Sequence, residues 1–157
     1  MELFIKHFDE LTNSELYDIL KLRNAIFIVE QNCPYQDMDD KDQNSYHLFL
    51  KDNGSIIACL RVIYHDEYKN AYMENAPVLR NVAAIGRVVS SVRRQGHATL
   101  LLREAIKLIT EKFDVSTVTL EAQVYARALY EGVGFAQSSD EFLEDGIPHI
   151  QMMLNLK

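Results

Sequence analysis

The sequence predicts an α+β fold built on one mixed β-sheet, and three observations carry that expectation. Short runs rich in β-branched and apolar residues alternate with helical patterns along the chain. A helical stretch follows the run at 85–89 and leads directly into S-T-V-T-L-E-A at 116–122, so those two strands are expected to lie parallel, joined by a right-handed crossover. Asp52-Asn53-Gly54 is a strong turn signal between residues 47–51 and 55–63, which marks an antiparallel hairpin. The 157 residues suit one core, and no repeat or linker interrupts them, so 1–157 is read as a single domain.

Taken in order, residues 2–8 read as a strand with Leu3, Ile5 and His7 on one face. Thr12 or Asn13 can cap the helix that follows, with Glu15 in its first turn. The helical pattern of Leu16, Ile19, Leu20, Arg23, Ile26 and Phe27 carries to about residue 28, and Pro34 closes the segment. Residues 36–46 are polar and acidic. A calcium loop starting at Asp37 needs Gly at its sixth position and Glu at its twelfth, where Asp42 and Leu48 stand. This segment is therefore expected to be a solvated or substrate-facing loop. The nearly all-apolar run at 56–63 is expected to be central in its sheet. Residues 64–79 read as irregular and 81–89 as a strand. A long helix at 97–113 follows, with Leu101, Ala105, Leu108 and Ile109 on its apolar face. A short helix at 126–131 is stopped by Gly132 and Gly134. Further strands begin at Phe135, and the last spans 147–156.

Nearly half the chain is apolar and a quarter is charged, an ordinary globular composition. The net charge of −7 argues against a nucleic-acid-binding role, which needs a basic face, and suits a cationic substrate such as an amine. No apolar run is long enough to span a bilayer, and the mixed N-terminus reads as a strand and not a signal peptide. A cytoplasmic location without a membrane partner is the expectation. Cys33 and Cys59 lie in unlike contexts and read as two free thiols. Cys33 and His47 are too few ligands for a zinc site, so no metal is expected.

The stretch at 88–102, V-V-S-S-V-R-R-Q-G-H-A-T-L-L-L, runs from strand through a basic turn into a helix. The first N–H groups of a helix lack partners inside it and, with the helix dipole, form a seat for phosphate. Gly96 allows close approach to the backbone, and Arg93 and Arg94 add positive charge. Neither G-x-G-x-x-G nor G-x-x-x-x-G-K-[ST] is present. What stands here is Arg93-x-x-Gly96-x-Ala98. It resembles the Q/R-x-x-G-x-G/A loop of the GNAT N-acetyltransferase superfamily. Downstream, A-R-A-L-Y-E-G-V-G-F at 126–135 is similar to that superfamily's A-x-x-x-Y-x-x-x-G-F segment. F-I-V-E-Q-N-C-P-Y (27–35), I-G-R-V-V (85–89), L-E-A-Q (120–123) and L-E-D-G-I-P-H-I (143–150) resemble its ElaA-like branch.

The resemblance implies a GNAT-like α/β/α fold. Its central sheet would be mixed and mostly antiparallel, with a parallel, splayed strand pair at an acetyl-CoA site. It implies acetyl-CoA as donor and a small-molecule or peptide amine as acceptor. Backbone groups of Val88 and Val89 would pair with the pantetheine arm. The turn of Arg93, Arg94, Gln95, Gly96, His97 and Ala98 would hold the pyrophosphate, with Thr99 adding a hydroxyl. Tyr130 aligns with the tyrosine often assigned as general acid. A phenol of ordinary pKa about 10 stays protonated at neutral pH and can donate to a leaving thiolate. The same residue also reads as a core or cofactor-packing tyrosine, and Tyr125 is a second candidate. Glu121 is favoured as general base, beside Glu30, His149, Glu144 and Asp145. Glu121 also reads as the partner of an arginine such as Arg87. Glu30, Gln31, Tyr35 and His149 would border the acceptor, under the acidic loop as a lid. Neither cysteine has a histidine arranged to activate it, so direct attack in a ternary complex is expected over an acyl-enzyme. A non-catalytic acyl-CoA-binding module and an acyltransferase using a longer acyl chain stand as alternatives. Dimers are common in the superfamily, which leaves a homodimer open.

Overall fold

The computed structural model describes residues 1–156. Its sheet is ordered β1 (Glu2–His7), β2 (Tyr46–Asp52), β3 (Ser55–Tyr68), β4 (Leu79–Ser90), β5 (Thr117–Gln123), β8 (Ile147–Asn155) and β6 (Ala136–Gln137), with β7 (Phe142–Glu144) also paired to β8. Every pairing is antiparallel except β4 with β5, which α2 (His97–Lys112) joins by the expected crossover. Among the described residues, no helix is long and apolar enough to cross a membrane.

Successive strand residues point to opposite faces, and the sheet divides its apolar residues between two cores. On one face Leu48, Leu60, Val62 and Ile85 pack with Leu101, Leu102, Ala105 and Ile109 of α2. On the other, Phe49, Cys59 and Val89 pack with Ile19 and Leu22 of α1 (Asn13–Arg23). The result is the helix–sheet–helix layering of an α/β/α fold. The start of α1 is a capping box. Thr12 Oγ1 accepts from the Glu15 N–H, and the Glu15 carboxylate accepts from the Thr12 N–H, both at 3.1 Å.

Three local expectations differ from the structure. Leu3 and Ile5 share a face of β1, but it is the open one; Phe4 turns inward and stacks on Phe49 at 5.2 Å. The helical pattern of 14–28 is not one α-helix. After Arg23 it widens into a π-helix over Asn24–Glu30, with Gln31 N–H donating to the Ile26 carbonyl at 3.1 Å and Cys33 N–H to the Ile28 carbonyl at 3.2 Å. Residues 64–79 are only partly irregular, because β3 runs on to Tyr68 and β4 begins at Leu79. There the pairing is tied by side chains, Tyr64 to Asn81 at 2.6 Å and Arg80 to Glu67 at 2.8 Å. This polar end of the ribbon lacks the alternation that marks a half-buried strand.

Candidate active site

The site begins where two strands part. β4 and β5 register only at Ala83↔Val118 and Ala84↔Thr119. Beyond those pairs both strands continue, β4 to Ser90 and β5 to Gln123, without further pairing to each other. A bulge sits in the diverging half of β4. Arg61 opposes Gly86 and Cys59 opposes Val89, so Arg87 and Val88 both face the single residue Leu60. Arg87 takes a left-handed backbone with φ of 54°, a conformation that costs a non-glycine residue on the order of 1–3 kcal/mol.

A buried ion-pair network holds that bulge. The Arg87 Nε lies 2.8 Å from the Asp37 carboxylate, its Nη2 donates to the Asp37 carbonyl at 2.9 Å, and Asp39 is 3.3 Å away. Arg23, only 1% exposed, reaches Asp37 at 2.9 Å and Asp42 at 2.7 Å. Arg61 reaches Asp39 at 2.6 Å and Asp42 at 3.0 Å. Burial alone would raise the pKa of Asp39 and Asp42. The hydrogen bonds and charges of Arg61 on Asp39, and of Arg23 and Arg61 on Asp42, hold both below the ordinary carboxylate range. The expectation of a solvated or amine-facing acidic loop is thus corrected for Asp37, Asp39 and Asp42, which are committed to three arginines. Arg87 serves this network, so it is not the partner of Glu121.

At the far end of β4 the chain turns through Arg94, at φ of 59°, and Gly96, at φ of 76°, into α2. No side chain caps α2, and a Cβ placed on Gly96 would meet nothing within 4 Å. Arg93, Arg94 and Gln95 are exposed there, while His97, Ala98 and Thr99 are half-buried. A cavity of about 420 Å³ joins this turn to the diverging strands. Residues 92–99, Val88, Val89, Tyr130, Glu121, Gln31, Tyr35, Glu144 and His149 all line it.

Within this lining the expected residues separate by role. Tyr130, on α3 (Arg127–Glu131), is 8% exposed and packs edge-on against Phe135 at 6.4 Å. Burial, then the neighbouring Tyr125, pushes its phenol above the ordinary range, so it is protonated at neutral pH. Tyr125 itself is 78% exposed. Glu121 accepts a hydrogen bond from the Asn70 amide at 3.0 Å. Burial, then the charge of Glu144, pushes its pKa up to about 7. His149 donates through Nδ1 to the Ile147 carbonyl at 2.7 Å, leaving Nε2 facing the Glu144 carboxylate at 3.6 Å. Burial also raises Glu144.

Glu30 pairs with Arg93 at 2.7 Å on the surface and does not line the cavity. Gln31 and Gln123 exchange amide hydrogen bonds at 3.2 and 3.1 Å, tying the end of the π-helix to the end of β5. The Tyr35 hydroxyl donates to Asp37 at 2.6 Å, and Arg87 lies over its ring at 5.6 Å, so it presents a ring and not a free hydroxyl. The Cys59 thiol is pushed up to about 12 by burial, and Cys33 Sγ contacts the Asp145 carbonyl at 3.5 Å. Asn70 falls in a stretch read as irregular, and no local signal pointed to it.

A parallel strand pair that splays beside an uncapped helix start, with a cavity between, defines the class. A family model described as an acetyltransferase (GNAT) domain matches residues 20–156, and the chain belongs to that acyltransferase family. Within it the chain is ElaA-like. ElaA of Escherichia coli is 35% identical over 93% of this chain and 91% of its own. Its crystal structure superposes with a TM-score of 0.80 over 98% of both chains. A UPF0039 protein of Schizosaccharomyces pombe is 38% identical over 99% of this chain and 98% of its own. An acyl-CoA N-acyltransferase of Pseudomonas aeruginosa, 34% identical, superposes with a TM-score of 0.80 over 98% of this chain and 99% of that one.

Proposed function

We propose that this protein is an acetyl-CoA-dependent N-acetyltransferase in which an amine attacks the thioester directly in a ternary complex. One observation carries the reading: a single cavity is lined by the open start of α2, the diverging edge of β4, a buried tyrosine and a carboxylic acid poised near neutrality. The name of the Pseudomonas relative, an acyl-CoA N-acyltransferase, supports an acyl-CoA donor.

The residues fit such a donor. Backbone groups of Val88 and Val89 extend a strand edge to its pantetheine arm. Amides from Arg94 to Ala98 receive the pyrophosphate, the Thr99 hydroxyl adds a bond, and Arg93 adds charge while tethered to Glu30. The open space around Gly96 favours close approach of phosphate oxygens. The donor supplies an activated carbonyl and a thiolate leaving group.

The protein's own part is to orient both substrates and manage two protons. Glu121 accepts the proton of the arriving ammonium, a task suited to a base near neutral pH. Tyr130 enters protonated and donates to the departing sulfur. Gln31, Tyr35 and His149 form the wall on the acceptor side. The buried, high-pKa Cys59 favours direct transfer over a covalent enzyme intermediate. Thiol release from acetyl-CoA and octanoyl-CoA, across a panel of amines, tests the reading. Amine-dependent release faster with acetyl-CoA supports it. Tight CoA binding without release, or preference for the octanoyl donor, refutes it.

A further inference from the structure

We propose that the acceptor is an alkyl diamine or polyamine, with a second ammonium and no carboxylate beside either nitrogen, and that Glu144 holds the second charge. This rests on the acetyltransferase reading. The cavity wall around Glu121 carries Glu144 and Asp145 as further acids. The cations near them are already committed or distant. The guanidinium of Arg87 is bound by Asp37 and Asp39, and Arg93 by Glu30. Arg87 and Lys41 act on Glu144, and Lys41 on Glu121, only through space. Glu121 has a neutral partner in the Asn70 amide, and Glu144 has only the His149 ring, at 3.6 Å. No lysine or arginine is hydrogen-bonded to Glu121, to Glu144 or to the exposed Asp145 on this side of the cavity.

That charge sorts acceptors. A substrate carboxylate next to the amine would meet Glu121 and Glu144 with no arginine fork to receive it. A single ammonium that gives its proton to Glu121 leaves Glu144 with no cation in hydrogen-bond contact beyond the His149 ring. A second ammonium, retained throughout, neutralises Glu144 while the first reacts. In the step itself the amine nitrogen forms a bond to the acetyl carbon and the carbon–sulfur bond breaks. The ammonium gives one proton to Glu121 before it attacks, and the nitrogen then gives up a second, which replaces the proton that Tyr130 donates to the departing thiolate. The products are a monoacetylated amine and free CoA thiol. His149 holds Glu144 in place, because its Nδ1–H is fixed on the Ile147 carbonyl and its Nε2 faces the carboxylate.

Matched acceptors test the idea on the whole protein with acetyl-CoA: cadaverine, lysine, which adds only an α-carboxylate, and pentylamine, which lacks the second ammonium. The expected kcat/KM for cadaverine exceeds both by at least about tenfold, the size of one partly buried charge-assisted contact. In Glu144→Gln the ratio of cadaverine to pentylamine falls toward one. Calorimetry of cadaverine on the wild-type protein with CoA is expected to show binding that pentylamine does not match. Lysine or pentylamine turned over as well as cadaverine overturns this proposal and leaves acetyl transfer standing. No thiol release with any amine overturns the acetyltransferase reading and this proposal with it.

Discussion

Replacing Tyr130 by phenylalanine separates catalysis from packing, because the structure makes opposite demands on the ring and the hydroxyl. The ring packs edge-on against Phe135 at 6.4 Å in the core, and phenylalanine keeps that contact. The hydroxyl has no hydrogen-bond partner among the described residues, so its removal strands no protein group. The hydroxyl is open to the cavity and not sealed in the core, so the variant is expected to keep its stability within about 1 kcal/mol. Turnover is expected to fall. Loss of a general acid costs about 10²-fold or more, or about 2.7 kcal/mol of barrier. The assay is thiol release at saturating amine, beside calorimetry with acetyl-CoA and thermal unfolding. A kcat within about threefold of wild type would remove the acid role, since a donor acting only in the transition state cannot be lost silently. A clear fall in Tm would show that the hydroxyl has a structural bond.

Three other substitutions probe different parts of the account. Glu121 is held near 7 in the fold against 4.5 for an ordinary glutamate, so the folded state binds the extra proton and stability declines as pH rises from about 4.5 through 7. Glu121→Gln should flatten that decline in urea titrations at several pH values, and should remove the rise of kcat/KM with pH near 7; a pH–rate profile identical to wild type would assign the base elsewhere. Asp42→Ala leaves Arg23 and Arg61 buried with one partner fewer each, and is expected to cost about 3–5 kcal/mol by denaturant unfolding at pH 7. Because Asp39 and Asp42 titrate below the ordinary range, the wild-type network's contribution is present above about pH 4 and lost as pH falls further, and an acid unfolding curve unaffected by the substitution would contradict this. Gly96→Val puts a β-branched residue at φ of 76°, costing about 1–2 kcal/mol of stability and most of the acetyl-CoA affinity; unchanged calorimetric affinity would move the phosphate seat.

What the sequence made legible was what local chemistry determines. Thr12 and Glu15 announced a helix start, Asp52-Asn53-Gly54 a hairpin, and the helix between two β-type runs a parallel pair. The phosphate-type turn was readable because Gly96 and its basic neighbours are adjacent in the chain. The network that shapes the other wall was not readable. Its ion pairs join Arg87 to Asp39 and Arg61 to Asp42 across long separations, and an acidic loop alone looks the same whether solvated or neutralised. Arg23 sat in an apolar stripe, which marked its face without naming its partners. The bulge at Arg87 needed the register of β3 against β4, which no single strand encodes. The neutral-range Glu121 depends on burial and on Glu144, a residue 23 positions along the chain that folding brings into the same cavity.

The most direct test of the account is a crystal structure of the protein with CoA. The pyrophosphate is expected on the amides of residues 94–98, the pantetheine along Val88 and Val89 in the gap between β4 and β5, and the sulfur within about 3.5 Å of the Tyr130 hydroxyl. A pyrophosphate seated elsewhere, or a sulfur beyond reach of Tyr130, would contradict it.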